Sequence, residues 1–217
     1  MRYILFLAAI MAIILAIVLA GCAQDECKGE GNCYFDKALS EKNDFYCSKI
    51  KSETLRKSCY AERAIDSDNM QLCLEINSSY CIVSVAENRQ DAGLCRTISD
   101  SHWGDTCYKN LASMTANASL CRSIISTDNR DGCHMELAQN TSQTSSCFFI
   151  TAPLVRDVCI GSVAIQNLDS NECYNIQDIM VKSKCYNKIA VAAGKAKICD
   201  SITIPSVREE CIKGIKA

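Results

Sequence analysis

Cysteines recur along this chain with a period of 26 residues, and no other feature limits the possible folds as strongly. Between Cys33 and Cys211 the spacings alternate between 14 and 12 residues, with one shorter spacing of 8 between Cys73 and Cys81. A fixed period of roughly 20–50 residues is typical of repeat proteins, in which each unit packs mainly against its neighbours. The sequence therefore predicts a repeat architecture with a unit of 26 residues.

Two apolar positions accompany the cysteines in every copy. If each repeat is numbered from its first cysteine, the second cysteine is position 15, position 6 is always alanine and position 18 is always isoleucine. The alanines are Ala38, Ala64, Ala86, Ala112, Ala138, Ala164 and Ala190, and the isoleucines are Ile50, Ile76, Ile98, Ile124, Ile150, Ile176 and Ile202. An alanine that is never replaced by a larger residue predicts a close approach between neighbouring helices.

The repeat has the pattern of a helical hairpin. Apolar residues recur four apart at positions 23, 1 and 5, as in Val155, Cys159 and Val163, which indicates an amphipathic helix. Position 20 is a good N-cap residue in four copies, and position 21 is proline in two others. These are Ser52, Asp100, Ser126 and Asp178, and Pro153 and Pro205. We expect a first helix from position 21 to about position 8 of the next repeat.

A second, shorter helix is predicted after position 11, which is Asn or Asp in five of the seven copies. The cysteine at position 15 and the isoleucine at position 18 would then share one helix face. Runs with the period of a β-strand are missing. The fold class predicted is all-α, an α-solenoid of about seven 26-residue hairpins stapled by disulfides. The irregular copy lacks four residues before Cys81, so its first helix should be truncated and begin close to that cysteine.

Two disulfide registers are compatible with the spacing. Cysteines 12 apart differ by roughly 3 Å in their distance from the intervening turn, and cysteines 14 apart by roughly 9 Å, which favours the first register. The invariance of the 14-residue spacing speaks for the second. The favoured pairs are Cys27–Cys33, Cys47–Cys59, Cys73–Cys81, Cys95–Cys107, Cys121–Cys133, Cys147–Cys159, Cys173–Cys185 and Cys199–Cys211.

The start of the chain indicates export. Met1-Arg2 precedes an apolar run from Tyr3 to Ala20, which is typical of a signal peptide. The run ends in Leu19-Ala20-Gly21-Cys22, which resembles the lipobox of prokaryotic lipoproteins; the resemblance implies cleavage before Cys22 and lipid on that cysteine. An uncleaved membrane anchor is the alternative, since roughly 17–25 apolar residues span a bilayer.

The predicted segments are a signal peptide at 1–21, a lipidated tether at 22–32 and the repeat domain at 33–217. Seventeen cysteines in 217 residues fit an oxidising compartment, and removing Cys22 leaves an even sixteen. We expect the protein to be extracytoplasmic and anchored to the cell membrane through lipid or the N-terminal helix.

No catalytic, metal or cofactor site is predicted. The chain has no C-x-x-C pair and only two histidines, His102 and His134, and His134 is at a packing position of its repeat. A basic column at position 24 (Arg56, Arg130, Arg156, Lys182, Arg208) is usually followed by an acid, so we assign it a structural role. With a net charge of −2, nucleic acid is not an expected partner. Asn77, Asn117 and Asn140 lie in sequons and are candidate glycosylation sites.

The C-x-x-x-x-A … C-x-x-I pattern after a lipobox resembles the cysteine-rich helical-repeat lipoproteins of prokaryotes. The stapled hairpins are also similar to Sel1-like repeats, although those are longer and carry a glycine-rich signature that is missing here. The second resemblance implies protein–protein interaction on a concave surface. We therefore expect a membrane-anchored scaffold that holds a protein partner and is not an enzyme. The alternative is an envelope ligand carrier, or a thiol–disulfide or metal-handling protein, with its site in the solenoid groove.

Overall fold

The computed structural model describes residues 26–216, which divide into two compact units between Ser78 and Ser79. All regular elements in this range are helical, and it contains no strand. The predicted all-α, disulfide-stapled repeat is confirmed. The boundary between the units falls in the irregular copy, where four residues are missing from the repeat.

The first unit consists of two hairpins. Its long helices are Gly31–Ser40 and Glu53–Asp66, and its short helices are Phe45–Lys49 and Met70–Glu75. The core of this unit contains the Cys27, Cys47 and Cys59 side chains together with Tyr34 and Ile50.

The second unit repeats the same plan. Its long helices are Ser79–Arg89, Ser101–Thr115, Thr127–Thr141, Pro153–Asn167, Ile179–Ala193 and Pro205–Lys216. Its short elements are one α-helical turn, Ala118–Cys121, and the 3₁₀ helices Leu94–Thr97, Thr144–Phe149, Glu172–Asn175 and Ala196–Ser201. Successive long helices pack side by side, and each short element packs on the two long helices that it connects.

The long helices begin where the sequence predicts. Side chains of Ser52, Asp100, Ser126 and Asp178 accept hydrogen bonds from backbone N–H groups of the first turn, as N-caps do. Pro153 and Pro205 are the first residues of their helices. The irregular copy has a long helix of 11 residues that begins at Ser79, two residues before Cys81, so the predicted truncation is also confirmed.

The long helices of all seven copies end in the same left-handed turn. Position 10 has a positive φ of 52–63°, and the residues there are Lys42, Asp68, Gln90, Ala116, Ser142, Leu168 and Gly194. In each copy the N–H of position 11 donates to the carbonyl of the invariant alanine at position 6. This bond, five residues back, marks a Schellman motif. The seven alanine side chains are completely buried, so the helix end has no room for a larger residue.

Glycine at this turn should stabilise the fold, because six of the seven copies hold an L-residue in a conformation that costs about 1–2 kcal/mol. Ala116→Gly removes only a β-carbon from an exposed position. Glycine also raises the entropy of the unfolded chain, which offsets part of the gain, so we expect the free energy of unfolding to rise by about 0.5 kcal/mol. The matched reverse change is Gly194→Ala, whose new β-carbon would meet no atom within 4 Å. It should lose about 1 kcal/mol. The urea midpoint of unfolding should therefore rise in Ala116→Gly and fall in Gly194→Ala. Midpoints that shift in the same direction in both variants would contradict this prediction.

The short elements differ from the expectation in one respect. The isoleucine at position 18 does not share a helix face with the cysteine, because Ile50, Ile98, Ile150, Ile176 and Ile202 follow the helix in extended conformation. In six copies its N–H donates to the carbonyl of that cysteine, three residues back. A single turn is enough to bring the isoleucine into the core, where burial of one such side chain stabilises by about 1.5–3 kcal/mol.

Candidate interaction surface

The disulfides of the structure follow the 12-residue spacing. The pairs are Cys47–Cys59, Cys95–Cys107, Cys121–Cys133, Cys147–Cys159, Cys173–Cys185 and Cys199–Cys211, preceded by Cys27–Cys33. Their Cα atoms are 5.4–5.9 Å apart, the separation on which the register argument was based. Cys73 and Cys81, the other two cysteines of the described range, are disulfide-bonded as well.

These disulfides are buried in the repeat core. All sixteen described cysteines are disulfide-bonded, and all except Cys33, which is half-buried, have less than a twentieth of their surface exposed. Thiol–disulfide exchange requires a thiolate to reach a sulfur atom, so bonds in this position are structural.

Buried aspartates in three consecutive copies each link their long helix to the start of the next one, and the sequence analysis missed them. Asp105, Asp131 and Asp157 are all at position 25 and at most 5% exposed. The carboxylate of Asp131 accepts hydrogen bonds from the N–H groups of Thr151 (2.9 Å) and Ala152 (3.0 Å), which lie just before the next long helix. Asp105 and Asp157 accept equivalent bonds one repeat earlier and later. The signal in the sequence was an acid at position 25 in three consecutive copies, of which Asp131 and Asp157 were interpreted only as partners that cancel the preceding base, whereas Asp105 follows a glycine.

The hydrogen bonds keep Asp131 ionised in spite of its burial. Burial alone would raise the pKa of Asp131, but the N–H groups of Thr151 and Ala152 and the Thr151 hydroxyl outweigh it, and the pKa lies below its ordinary value. The ionised carboxylate is therefore part of the native repeat contact at neutral pH.

The basic column at position 24 has the structural role assigned to it. Arg56, Arg130 and Arg208 donate to the carbonyls of Ile50, Ile124 and Ile202, the invariant isoleucines of the preceding turn. Arg156 donates to the side chain of Gln177. Three of the four guanidinium groups thus satisfy backbone carbonyls and the fourth bonds to a side chain, whereas the ammonium of Lys182 lies over the Tyr174 ring.

His134 is a packing residue, more deeply buried than expected. Only 1% of it is exposed, and its ring stacks on Phe149 with 5.3 Å between centroids. The guanidinium of Arg122 lies 4.9 Å from the centroid of the Phe149 ring. Burial lowers the pKa of His134, so its imidazole is neutral at neutral pH. Nδ1 has no hydrogen-bond partner in the described structure. The other histidine, His102, is exposed beside Trp103.

Exposed apolar side chains concentrate between residues 148 and 191. Nine of the fifteen large apolar side chains exposed in the described range lie there: Phe148, Phe149, Leu154, Val158, Leu168, Tyr174, Ile179, Met180 and Val191. Leu154 and Val158 are four apart on one long helix, and Met180 is the equivalent of Leu154 in the next repeat. Because the two helices pack side by side, these three residues lie on one face.

Basic residues concentrate at the end of the chain. Residues 179–217 contain eight Lys or Arg and three Asp or Glu, whereas the whole chain has a net charge of −2. Within the described residues, none of Lys182, Lys184, Lys188, Lys195 and Lys197 forms an ion pair. The last two repeats thus combine exposed apolar side chains with uncompensated positive charge.

The other predicted site residues have separate positions. Cys22 and the predicted signal peptide lie outside the described residues. Asn77 is exposed in a left-handed turn, and Asn117 caps Ala118–Cys121. Asn140 is in the last turn of its long helix, where its Nδ2 donates to the Ser113 hydroxyl. The three asparagines therefore do not form a common site.

Within residues 26–216 the structure contains no cluster of His, Cys, Asp or Glu suited to a metal ion. In that same range no helix is both long and apolar enough to cross a bilayer. No protein-family model matches the sequence, and neither a curated protein nor a solved structure shows significant similarity to it. The resemblances to prokaryotic lipoproteins and to Sel1-like repeats stay predictions.

Proposed function

We propose that this protein is an exported helical-repeat scaffold, anchored at its N-terminus to the cell membrane, that holds a protein partner through the last repeats of the second unit. What supports this most is the coincidence of exposed apolar side chains at residues 148–191 with the basic surplus at residues 179–217. Apolar surface of this kind is typical of interaction sites. The sixteen disulfide-bonded cysteines support an oxidising, extracytoplasmic compartment.

The thiol–disulfide alternative has less support. It requires an accessible cysteine pair, and the cysteines of the described range are bonded and, except for Cys33, buried. Titration of thiols in the denatured, unreduced protein distinguishes the two. We expect no free thiol from these sixteen cysteines; a reproducible free pair would favour the alternative.

Anchoring is tested by Cys22→Ser. If Cys22 is the lipidated first residue of the mature protein, the variant should stay uncleaved and migrate as a larger species. Mass spectrometry of the membrane fraction should find lipid on the wild-type N-terminus only. A variant that is cut and localised like the wild type would overturn the lipoprotein assignment.

Partner binding is tested by a photo-crosslinking amino acid placed at exposed positions in intact cells. At Met180 we expect a discrete protein adduct, whereas the exposed Lys51 of the first unit is the control and should give none. The adduct should also weaken when lysines of residues 179–197 are replaced by glutamate. The scaffold proposal would be contradicted if the photo-crosslinking amino acid gave no protein adduct at Met180, Leu154 or Val158.

A further inference from the structure

The aromatic stack around His134 can be compared with the equivalent position two repeats later in the same unit, which lacks one of its rings. Residues 52 positions later are equivalent in the repeat, so Tyr174 corresponds to Arg122, Tyr186 to His134 and Ser201 to Phe149. In the first place the Phe149 ring lies between the His134 ring and the Arg122 guanidinium, at 5.3 and 4.9 Å. In the second place the central ring is missing, because serine replaces phenylalanine.

The structure has a cavity at the second place. Its volume is about 410 Å³, and it is lined by Ser170, Asn171, Tyr174, Tyr186 and Ser201. We call this cavity the tyrosine slot. Tyr186 is only 8% exposed and forms the floor with its ring, whereas Tyr174 is 77% exposed and stands at the rim. A second cavity of about 300 Å³, lined by Ser142, Gln143, Thr144, Ser145, Asn167, Asp169 and Glu172, has no aromatic wall.

The polar groups of the slot are available to a ligand. Within the described residues, the hydroxyls of Ser170 and Ser201, the amide of Asn171 and the two phenols make no side-chain hydrogen bond. Burial raises the pKa of Tyr186, and the nearby Tyr174 acts in the same direction, so the Tyr186 phenol is a neutral donor at neutral pH. A ring that entered between the tyrosines would thus meet an aromatic floor and a rim of donors and acceptors.

The charge around the slot selects the ligand further. The ammonium of Lys182 lies 5.4 Å from the centroid of the Tyr174 ring at the rim, and within the described residues this lysine forms no ion pair. An acidic group beside the inserted ring would be attracted by Lys182, which raises the rate of association and favours an acidic over a basic neighbour of that ring.

From these contacts we infer that the tyrosine slot binds an aromatic side chain of a partner protein, presented in a segment rich in aspartate and glutamate. The ring takes the place that Phe149 has in the equivalent stack. Polar atoms of Ser170, Asn171 and Ser201 are placed to bond with the backbone of the segment. The inference rests on the proposed scaffold function and names the chemistry of its partner.

Ser201→Phe is the decisive variant, because it restores the ring of the His134 stack and closes the slot without removing any core residue. The matched control is Asn175→Phe, which introduces the same ring at the exposed equivalent position of the preceding repeat. The probe is a short peptide with one phenylalanine flanked by aspartate and glutamate. It is added to the full chain in detergent micelles with ¹³C-labelled tyrosine rings, and NMR follows the ring signals of Tyr174 and Tyr186.

We expect the peptide to shift both tyrosine signals and to leave those of Tyr80 and Tyr108 unchanged. Ser201→Phe should lower the affinity at least about tenfold, the effect of losing roughly 1.4 kcal/mol of binding free energy. Asn175→Phe should bind as the wild type does. A peptide with alanine for phenylalanine, or with lysine for its acids, should bind at least about tenfold more weakly.

Equal binding to Ser201→Phe, or unchanged Tyr174 and Tyr186 signals, would overturn the inference. So would preferential binding of a neutral oligosaccharide, used as a competing probe, because it would make the slot a glycan site. The scaffold proposal is judged separately by the adduct at Met180. If that adduct persists unchanged in Ser201→Phe and the peptide fails to bind, the slot is wrong and the scaffold stands. If the peptide binds but no adduct forms in cells, the proposed function fails and the slot stands.

Discussion

Replacing Cys147 and Cys159 together by alanine is expected to lower the free energy of unfolding by about 3 kcal/mol. The bond connects residues 12 apart, and cross-linking a loop of that length restricts the unfolded chain by about this amount. Both sulfurs are also fully buried, so the double alanine variant loses packing in addition. Urea denaturation of the oxidised proteins, followed by circular dichroism, measures the difference.

The matched control is the double alanine variant at Cys27 and Cys33. This bond closes a separation of only 6, and Cys33 is half-buried, so the loss should be smaller, about 2 kcal/mol. Cysteine-linked peptides from the unreduced wild type check the register directly. Recovery of Cys133 joined to Cys147 would contradict both the register and the predicted order of the two losses.

Asp131→Ala should cost about 3 kcal/mol, because it leaves two N–H groups at the start of the next long helix without their acceptor, each at about 1–3 kcal/mol unless water replaces it. Asp131→Asn keeps one acceptor oxygen and should lose less. Asp128→Ala on the same helix is the control. Its exposed carboxylate has only a weak interaction with the helix N-terminus, about 0.5 kcal/mol. Equal losses for Asp131→Ala and Asp128→Ala would show that the buried contact contributes little.

The pH dependence gives Asp131 a second signature. Its pKa in the folded state is lowered, so its contribution is complete above the unfolded value of about 3.9 and is lost as the pH falls through the lower folded pKa. The stability difference between wild type and Asp131→Asn should therefore be constant near neutral pH and shrink in acid. A difference that grows in acid would have the wrong sign and would contradict the assignment of an ionised carboxylate.

Sequence by itself determined the features that depend on neighbours a few residues apart. The helix starts at Ser52 and Pro153 follow from capping and proline geometry, and the truncated helix before Cys81 follows from the missing residues. The favoured disulfide register followed from counting residues to a shared turn, and the structure has this register at Cys47–Cys59 and at the five pairs between Cys95 and Cys211. In each case the helix rise converts chain distance directly into spatial distance.

Only the tertiary structure decided the contacts between repeats. The carboxylate of Asp131 bonds to residues 20 and 21 positions away, and Arg122, His134 and Phe149 form one stack from three elements. The left-handed turn at position 10 holds seven different residue types, so its composition carried no signal. The tyrosine slot depends on the same placement of three elements. How the helices pack decides which side chains of neighbouring repeats are in contact. The 26-residue period indicates only that equivalent repeats pack in the same way.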